Sequence, residues 1–286
     1  MQERASKREW PGQDAREDAN AAAVATAFRQ ARLSGDLLRD FPARFPASLA
    51  EAYAIQTRAI ADFPDQVRGW KIAGILPEFR ETLGAVRLAG PVFAGGIRHA
   101  DGKTADGKTP VPFPVFAGGF AGLEAEFIFR MARDIAPGER PDATALAAAV
   151  AALHAGVETA GSPLASINDL GPLAVIADFG NNNGLIVGPE VPGWRALALE
   201  AITSRTRING ALVGEGSAAK VAGGPLAALE FLVEHLAHRG MTLQAGDYVS
   251  TGMTTGIHAV VPGDRAAFEF VGGIAIAAEA VLAKPA

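Results

Sequence analysis

Residues 123–130 read LEAEFIFR and place two glutamates, Glu124 and Glu126, inside an otherwise apolar run. Alternate side chains of a β-strand share a face, so the two carboxylates would lie on one side, roughly 7 Å apart along the chain. Like charges on a half-buried face repel each other and lose hydration unless a cation lies between them or one holds a proton. Ile128 and Phe129 continue the run without a polar break, which favours a buried strand over an exposed edge with solvated glutamates. The pair therefore predicts half of a site for a hard divalent metal such as Mg²⁺.

A third oxygen ligand is needed, because a hard divalent ion usually takes more ligands than two carboxylates supply. The next candidate is Glu158, in the segment GVETAG, where small and apolar residues flank it at the start of a predicted strand. A surface glutamate at a helix-to-strand turn is the alternative. Spacing alone leaves both interpretations open.

Lys71 is the candidate cation near such a site. It follows Trp70 in the segment VRGWKI, which is typical of a strand. A strand lysine is ordinarily a solvated residue at a sheet edge. The functional alternative is a partly buried ammonium that binds a substrate carboxylate or transfers protons.

Residues 178–184 read DFGNNNG and follow the apolar segment LAVIAD, which we expect to be a strand. Asparagine and glycine tolerate left-handed backbone conformations, so a tight turn is the ordinary explanation of this run. The alternative is that one of the asparagine amides orients a water molecule or a substrate oxygen.

The composition excludes several classes of protein. The chain has 286 residues, 49% of them hydrophobic, which is enough for one large core or for a core with a small lobe. The 26 basic and 31 acidic residues give a net charge of −5, the opposite of what a nucleic-acid-binding surface needs. The absence of cysteine excludes disulfides, thiolate metal sites and a cysteine nucleophile. No apolar run reaches the roughly 18 residues of a membrane span, so we expect a cytoplasmic protein without a membrane or nucleic-acid partner.

Motifs of other common catalytic sites are missing from the sequence. It contains no G-x-G-x-x-G after a strand, no Walker sequence and no G-x-S-x-G, so nucleotide cofactors and a serine nucleophile have no support. The five histidines show no H-x-x-x-H spacing, which disfavours a zinc site.

Periodicity and capping signals divide the chain into helices and strands. Helices are predicted at 20–33, 48–63, 77–83, 142–153 and 225–239. Strands are predicted at 67–72, 123–130, 156–159, 173–178, 247–251, 258–261 and 266–278. The Gly- and Pro-rich residues 90–122 are predicted to form a loop, which is a candidate lid.

The distribution of these elements predicts an α+β fold, because helices dominate the first third and strands the last. We expect residues 1–19 to be a disordered extension outside the fold and residues 20–85 to form a small helical N-terminal lobe. Residues 86–286 would then form the β-rich domain that holds the metal site.

The order of the segments resembles that of the fumarylacetoacetase superfamily, in particular its branch of 2-hydroxypenta-2,4-dienoate (2-keto-4-pentenoate) hydratases and 4-oxalocrotonate decarboxylases. The resemblance covers residues 20–283. It rests on EAYAIQ at 51–56, GWKI at 69–72, EAEFIF at 124–129, VET around Glu158, ADFGNNNG at 177–184, the helix GGPLAALEFL and AGDYVSTG at 245–252. Each motif alone is weak, whereas their shared order and spacing are specific.

The resemblance implies a β-roll or sandwich that assembles into homo-oligomers. It implies Mg²⁺ or Mn²⁺ held by Glu124, Glu126 and Glu158 and chelated by the carboxylate and 2-oxo oxygens of a small acid. Lys71 matches a lysine that contacts the bound acid and assists proton transfer. Thr251 matches a threonine that lines the same pocket.

The sequence departs from the branch at three places. Val92 stands where the hydratases usually have an active-site aspartate in P-D-F-G, and Asn181 stands where a pocket serine is typical. Residues 161–163 read GSP instead of the common D-S-R. The metal ligands are retained, but the groups that would handle protons differ.

The resemblance and the candidate residues predict a metal-dependent hydratase, a lyase that adds water to a short 2-hydroxydienoic or 2-oxoenoic acid such as 2-hydroxypenta-2,4-dienoate. Lys71 would position the carboxylate and transfer protons, while Asn181 and Thr251 would bind substrate. One alternative is an acylpyruvate-type C–C hydrolase, in which His99 or His258 would have to serve as the base. A 2-oxoacid decarboxylase needs no activated water, and a catalytically silent 2-oxoacid-binding protein is the remaining alternative.

Overall fold

The computed structural model describes residues 15–101 and 110–284 of the chain. Within them it has an α+β fold, as the sequence predicts, and its helices are α1 (Ala15–Ser34), α2 (Leu49–Ala61), α3 (Pro77–Leu83), α4 (Ala143–Ala148), α5 (Pro172–Ala177) and α6 (Gly224–His238). The strands are β1 (Val67–Gly74), β2 (Arg87–Phe93), β3 (Ile97–His99), β4 (Val111–Val115), β5 (Phe120–Met131), β6 (Val150–Ser162), β7 (Asn182–Glu190), β8 (Thr203–Ile208), β9 (Ala211–Ser217), β10 (Tyr248–Ser250), β11 (His258–Ala259), β12 (Arg265–Phe270) and β13 (Ile274–Leu282).

The strands form two sheets. One has the order β2-β1-β10-β5-β6-β7-β3, with β11 also paired to β5, and the other has the order β4-β13-β12-β8-β9. The first sheet curls, because Val92 of β2 packs against Leu185 of β7, near the opposite end of the strand order. The long antiparallel pair β5–β6 lies in the middle of this sheet and carries the predicted metal ligands.

The helices near the N-terminus begin and end as local sequence signals require. Ser48 caps α2 by accepting a hydrogen bond at Oγ from the backbone N–H of Glu51. Glu51 in turn accepts at Oε2 from the backbone N–H of Ala47, so the predicted capping box forms one residue wider than the standard pattern. Helix α3 matches the predicted range and ends at Gly84, whose φ of +61° suits a left-handed C-cap.

Five sequence predictions differ from the structure in whole or in part. One is the single strand expected at 266–278, which is the antiparallel pair β12–β13. The helix expected at 142–153 is only α4, because the chain enters the central strand β6 at Val150 and burial in the sheet overrides the helical propensity of alanine. The strand expected at 173–178 is the buried helix α5, which has Pro172 at its first turn. The expected loop at 90–122 includes β3, β4 and parts of β2 and β5; its residues 102–109 lie outside the described residues. The extension expected at 1–19 overlaps α1, and residues 1–14 lie outside the described residues.

Helix α6 packs its predicted leucine stripe against the first sheet, with Leu229, Leu232 and Leu236 buried in the main core. None of the helices in the described part of the chain is long and apolar enough to cross a lipid bilayer.

A polar cluster joins α2 to the end of α6. Arg239 donates from Nη1 to Gln56 Oε1 at 2.8 Å and from Nη2 to Thr57 Oγ1 at 2.9 Å. It also lies 3.2 Å from His235 Nε2, which therefore accepts this contact as a neutral imidazole. Burial, followed by the charges of Arg239 and His238, lowers the pKa of His235 from 6.5 to about 3.

His235 is expected to make the protein less stable in mild acid. Its folded pKa lies below its unfolded pKa, so its contribution is complete above pH 6.5 and is lost as the pH falls toward 3. Between these two pKa values the free energy of unfolding falls by about 1.4 kcal/mol per pH unit. The His235→Gln variant keeps an acceptor for Arg239 but does not titrate. Urea unfolding at pH 7 and pH 5 should therefore show a larger loss for the native chain than for this variant, and equal losses would contradict the assignment.

Candidate metal centre

Strands β5 and β6 bring Glu124, Glu126 and Glu158 together. Glu124 lies directly opposite Glu158 in the antiparallel register, and Glu126 shares the face of Glu124 two residues further along β5. One carboxylate oxygen from each of the three lies within 4.8 Å of the others. The three side chains are 6%, 0% and 0% exposed, so this is a buried cluster and not a solvated strand edge.

Glu126 and Glu158 each have one carboxylate oxygen that accepts hydrogen bonds from the protein and one that has no protein partner in the described residues. Glu126 Oε2 accepts from Ser250 Oγ at 2.5 Å and from the Gly252 backbone N–H at 2.8 Å. Glu158 Oε1 accepts from Asn182 Nδ2 at 3.1 Å and lies 3.3 Å from Lys71 Nζ. Among the described residues, Glu126 Oε1 and Glu158 Oε2 are buried and have no hydrogen-bond partner.

The charges of the cluster fit a divalent cation. Burial raises the pKa of Glu124 to about 7, assisted by the charge of Glu158. Burial and the charges of Glu158 and Glu124 raise the pKa of Glu126 well above its ordinary value. With all three carboxylates ionised and Lys71 charged, the buried site would carry two uncompensated negative charges, and the raised pKa values reflect this repulsion. The two unpartnered oxygens and this charge are what an oxygen-ligated Mg²⁺ or Mn²⁺ requires.

Lys71 lies on β1 and is only 3% exposed. Burial alone would lower the pKa of its ammonium, but Glu158, Glu124 and Glu126 together raise that pKa above its ordinary value. The lysine is therefore a charged group of the site. The interpretation as a solvated edge lysine does not hold, because β1 pairs with β2 on one side and with β10 on the other.

The turn after α5 crosses β2 beside Lys71, and two glycines make this approach possible. A Cβ on Gly90 would lie 2.1 Å from the carbonyl oxygen of Phe179. A Cβ on Gly180, whose φ is +70°, would lie 2.9 Å from Gly90 Cα and 3.4 Å from Lys71 Cδ. The run DFGNNNG is thus the tight turn that its composition indicates, and it also supplies Asn182 to Glu158.

A buried arginine from α1 holds this turn in place. Arg32 Nε lies 2.5 Å from Asp178 Oδ1, and its Nη1 and Nη2 donate to the carbonyl oxygens of Asn182 and Gly161 at 2.9 and 2.8 Å. The other carboxylate oxygen of Asp178 accepts from Ser162 Oγ at 2.6 Å. Arg32 therefore connects the N-terminal helix to both segments that flank Glu158.

Removal of the Arg32 side chain is expected to reduce stability strongly. In the Arg32→Met variant Asp178 would remain buried without its partner, and breaking a buried ion pair in this way costs about 3–5 kcal/mol. The matched control is Arg205→Met, since Arg205 lies at the same distance, 2.5 Å, from Glu215, but both side chains are at least half exposed. An exposed pair contributes at most about 1 kcal/mol. Urea unfolding of both variants checks the difference, and similar losses would contradict the role given to burial.

The structure also locates the remaining residues suggested by sequence. Asn181 is buried, donates from Nδ2 to Asn168 Oδ1 at 3.1 Å, and has no described partner for Oδ1. Thr251 donates from Oγ1 to the carbonyl oxygen of Phe127 at 2.7 Å. Their roles in substrate binding stay predictions. Val92, where the resemblance leads one to expect aspartate, is fully buried in an apolar cluster.

Sequence reasoning missed several residues that hold the site. Ser250 could have been found, because it precedes Thr251 in the motif AGDYVSTG and alternates with the buried Val249. Asn182 stood in the polar run, but the neighbouring Asn181 was preferred. For Arg32 the sequence carried no signal, since its contacts lie 129 to 150 residues away.

Comparison with known proteins finds a sequence relative over part of the chain. A 4-oxalocrotonate decarboxylase from Pseudomonas putida is 31% identical over 100 residues, which is 35% of this chain and 38% of the relative. The matched part therefore spans less than half the length of that relative. A scan against models of protein families finds no match.

Solved structures share the fold over a larger part of the chain. The 4-oxalocrotonate decarboxylase from Pseudomonas putida G7, complexed with magnesium and adipate, superimposes with a TM-score of 0.76 and 21% identity, covering 94% of this chain and 99% of that chain. A fumarylpyruvate hydrolase from Pseudomonas aeruginosa, in complex with Mn²⁺ and pyruvate, gives a TM-score of 0.53 and 14% identity over 78% and 93% of the two chains. The sequence relatives and structural neighbours are 4-oxalocrotonate decarboxylases and fumarylacetoacetase-family proteins, which confirms the resemblance to this superfamily and branch that the motifs indicate.

Proposed function

We propose that this protein is a metal-dependent lyase that decarboxylates a short 2-oxo dicarboxylic acid of the 4-oxalocrotonate kind. The observation that carries metal dependence is the buried triad, in which Glu126 and Glu158 each keep one oxygen without a protein partner. The choice of decarboxylation is supported by the curated relative and by the decarboxylase structure that matches this chain along nearly its whole length.

The groups around the triad favour a reaction that needs no activated water. The pKa values of Glu124, Glu126 and Lys71 are shifted by the charges of these groups and of Glu158. Among the described residues, no histidine contributes to these shifts. His99 lies with Arg68 and Arg130 at another cavity, and His258 Nε2 lies 3.1 Å from the Thr255 carbonyl oxygen. Neither histidine has a contact with the triad that would support the base of an acylpyruvate hydrolase.

The chain's own residues account for binding and proton transfer. Glu124, Glu126 and Glu158 would hold the divalent ion, which when bound supplies Lewis-acid stabilisation of charge on a 2-oxo group. Lys71 would bind the 1-carboxylate of the acid through its ammonium and hold a proton at Nζ. Glu158 Oε1 and the turn at Gly180 would keep Lys71 in position.

Decarboxylation in this site balances without a further reagent. The second carboxylate of the acid lies on the saturated carbon next to the double bond, and that double bond is conjugated with the 2-oxo group. When the bond to that carboxylate breaks, carbon dioxide leaves and the electron pair moves through the double bond to give the dienolate of the 2-oxo acid. One proton, which Lys71 can supply, then yields 2-hydroxypenta-2,4-dienoate.

Hydration of 2-hydroxypenta-2,4-dienoate begins from the same dienolate and is the second candidate. The observation in its favour is the charged Lys71, which can protonate the far carbon before water adds. A homo-oligomeric assembly and a location in the cytoplasm stay predictions.

The test is a substrate comparison with the Mg²⁺ or Mn²⁺ form. Incubation with 2-oxohex-3-enedioate should release one carbon dioxide per molecule consumed and should require the metal. Loss of 2-hydroxypenta-2,4-dienoate absorbance without decarboxylation would instead identify a hydratase, and turnover of acylpyruvates alone would identify a hydrolase. If no substrate reacts but 2-oxo acids raise the melting temperature, the protein only binds them.

A further inference from the structure

The three glutamates lie at one end of a face of the first sheet. A separate group of polar residues lies at the other end of the same face. Along β5, Glu124 and Glu126 lie on the same face as Ile128 and Arg130, because alternate residues share a face. Ile128 is fully buried in an apolar cluster with Val92, Leu185 and Val187. By the strand rise, Arg130 lies roughly 13 Å beyond Glu126. The apolar cluster therefore lies between the carboxylates and Arg130.

A cavity of about 340 Å³ opens at this second end, and its lining is cationic. Arg68, His99, Arg130 and Tyr248 contribute side chains to it from four different strands. A register shift between Val67 and Gly69 in β1 accompanies the entry of Arg68 into this lining. A cavity of this volume is within the usual range for a small-molecule site.

The two arginines have no ion-pair partner in the part of the chain that the structure describes. Within residues 15–101 and 110–284, neither Arg68 nor Arg130 has a carboxylate within 4.0 Å. Arg68 donates to the amide oxygen of Gln244 at 3.3 Å, a neutral partner. Asp247 interacts with the charge of Arg68 and with that of Asp134, and Glu190 interacts with His154, but none of these carboxylates lies within 4.0 Å of Arg68 or Arg130.

A histidine behind the lining adds a second observation. His154 lies opposite Ile128 on β6, and its Nδ1 contacts the Gly188 carbonyl oxygen at 2.9 Å. Its Nε2 is buried without a hydrogen-bond partner in the described residues. The Tyr248 ring makes edge contacts with the rings of both His99 and His154, at centroid distances of 6.0 and 6.1 Å. Burial lowers the pKa of His154, and the charges of Arg130 and His99 act in the same direction.

We propose that this cavity is a binding site for a small dianion, separate from the metal centre. Carboxylate and phosphate groups share the oxygen pairs that an arginine guanidinium binds in bidentate geometry. Two arginines that line one cavity without ion-pair partners create a positive potential that such a ligand would neutralise. The buried layer of Val92, Ile128, Leu185 and Val187 separates this ligand from the triad, so its binding needs no metal.

Isothermal titration calorimetry tests this proposal on protein that has been stripped of metal with a chelator and then dialysed free of it, because a polycarboxylate chelator would itself compete for the site. The two probes are succinate and inorganic phosphate. At least one should bind the native chain without metal, and it should bind a Glu126→Gln/Glu158→Gln variant equally well. Because each arginine makes charge-assisted contacts, the Arg68→Gln/Arg130→Gln variant should bind at least about tenfold more weakly. The matched control is Arg205→Gln, an exposed arginine on β8, which should bind like the native chain.

This titration measures anion binding to metal-free protein and involves no turnover. Its failure can therefore be told apart from a failure of the proposed function. Binding of succinate alone would identify the ligand as an organic acid, and binding of phosphate alone as a phosphorylated compound; either supports the site. Binding that is absent for both probes, that requires the metal, or that is unchanged in the double arginine variant would overturn it. Arg130 is exposed, so the single Arg130→Gln variant provides the same comparison if the double variant fails to fold.

Discussion

The Glu126→Gln variant is expected to lose metal-dependent turnover by about a thousandfold. A bound metal contributes several kcal/mol to stabilising charge in the transition state, and each 1.4 kcal/mol corresponds to about a tenfold change in rate. The amide oxygen of the glutamine can still accept from Ser250 and Gly252, so its NH₂ group would take the place of the unpartnered Oε1. That group is a donor with partial positive charge, and it would repel a cation.

The same variant should respond oppositely when no metal is present. Burial and the neighbouring charges oppose ionisation of Glu126, so a neutral amide should raise the melting temperature of the metal-free protein. Thermal melts with and without Mn²⁺ measure both effects, together with initial rates over a range of Mn²⁺ concentrations. Glu215→Gln, which changes an exposed glutamate on β9, is the control and should resemble the native chain. Unchanged metal-dependent rates in the Glu126 variant would contradict the assigned ligand.

The Lys71→Met variant is expected to lower kcat by about 10² to 10⁴, the usual range for a group that transfers protons in the transition state. Methionine has a similar length and is suited to a buried position, so the packing against Gly180 should survive. The ammonium lies 3.3 Å from Glu158 and shares the carboxylates with any bound cation. Its loss should therefore leave Mn²⁺ affinity unchanged or increase it, while kcat falls.

A fall in kcat without a loss of Mn²⁺ affinity distinguishes a catalytic lysine from one that only supports the metal site. Calorimetric titration with Mn²⁺ and steady-state rates should be measured on the same preparation. The Lys220→Met variant, in an exposed turn, is the control for the loss of a lysine. If turnover and Mn²⁺ affinity fall together in the Lys71 variant, its role is structural and the proposed proton transfer is wrong.

The part of the site that rests on short-range periodicity could be predicted from sequence. Glu124 and Glu126 were expected on one face because strand side chains alternate, and this geometry needs no knowledge of the fold. The capping box at Ser48 and the leucine stripe of α6 are local for the same reason. The sequence suggested Glu158 as a third ligand but left a surface turn equally open, and only the family resemblance joined it to Glu124 and Glu126. The register of two strands whose glutamates are 34 residues apart is a property of the whole sheet.

The wrong predictions occurred where tertiary packing overrides local preference. Residues after Ala149 are alanine-rich and helical by propensity, yet they form the centre of the sheet, where small side chains lie against β5 and β7. The apolar run before DFGNNNG was read as a strand, although Pro172 can begin a helix and the run is too short for periodicity to decide.

Long-range polar contacts were the least predictable feature. Arg32 looks like an ordinary arginine near the end of a helix, and only the fold shows that it binds Asp178 and two backbone carbonyl oxygens beside the glutamates. The GSP sequence at 161–163 was treated as a departure from the branch. In the structure Ser162 donates to Asp178, so this segment belongs to the network that Arg32 completes.

The central claim is that three buried carboxylates bind one divalent ion. Anomalous diffraction from crystals grown with Mn²⁺ tests it most directly, because the signal locates the metal independently of activity. We expect one Mn²⁺ per chain, with oxygens of Glu124, Glu126 and Glu158 as its protein ligands at about 2.1–2.3 Å. A Mn²⁺ signal elsewhere in the chain, or none at the triad in crystals soaked to saturation, would contradict the account.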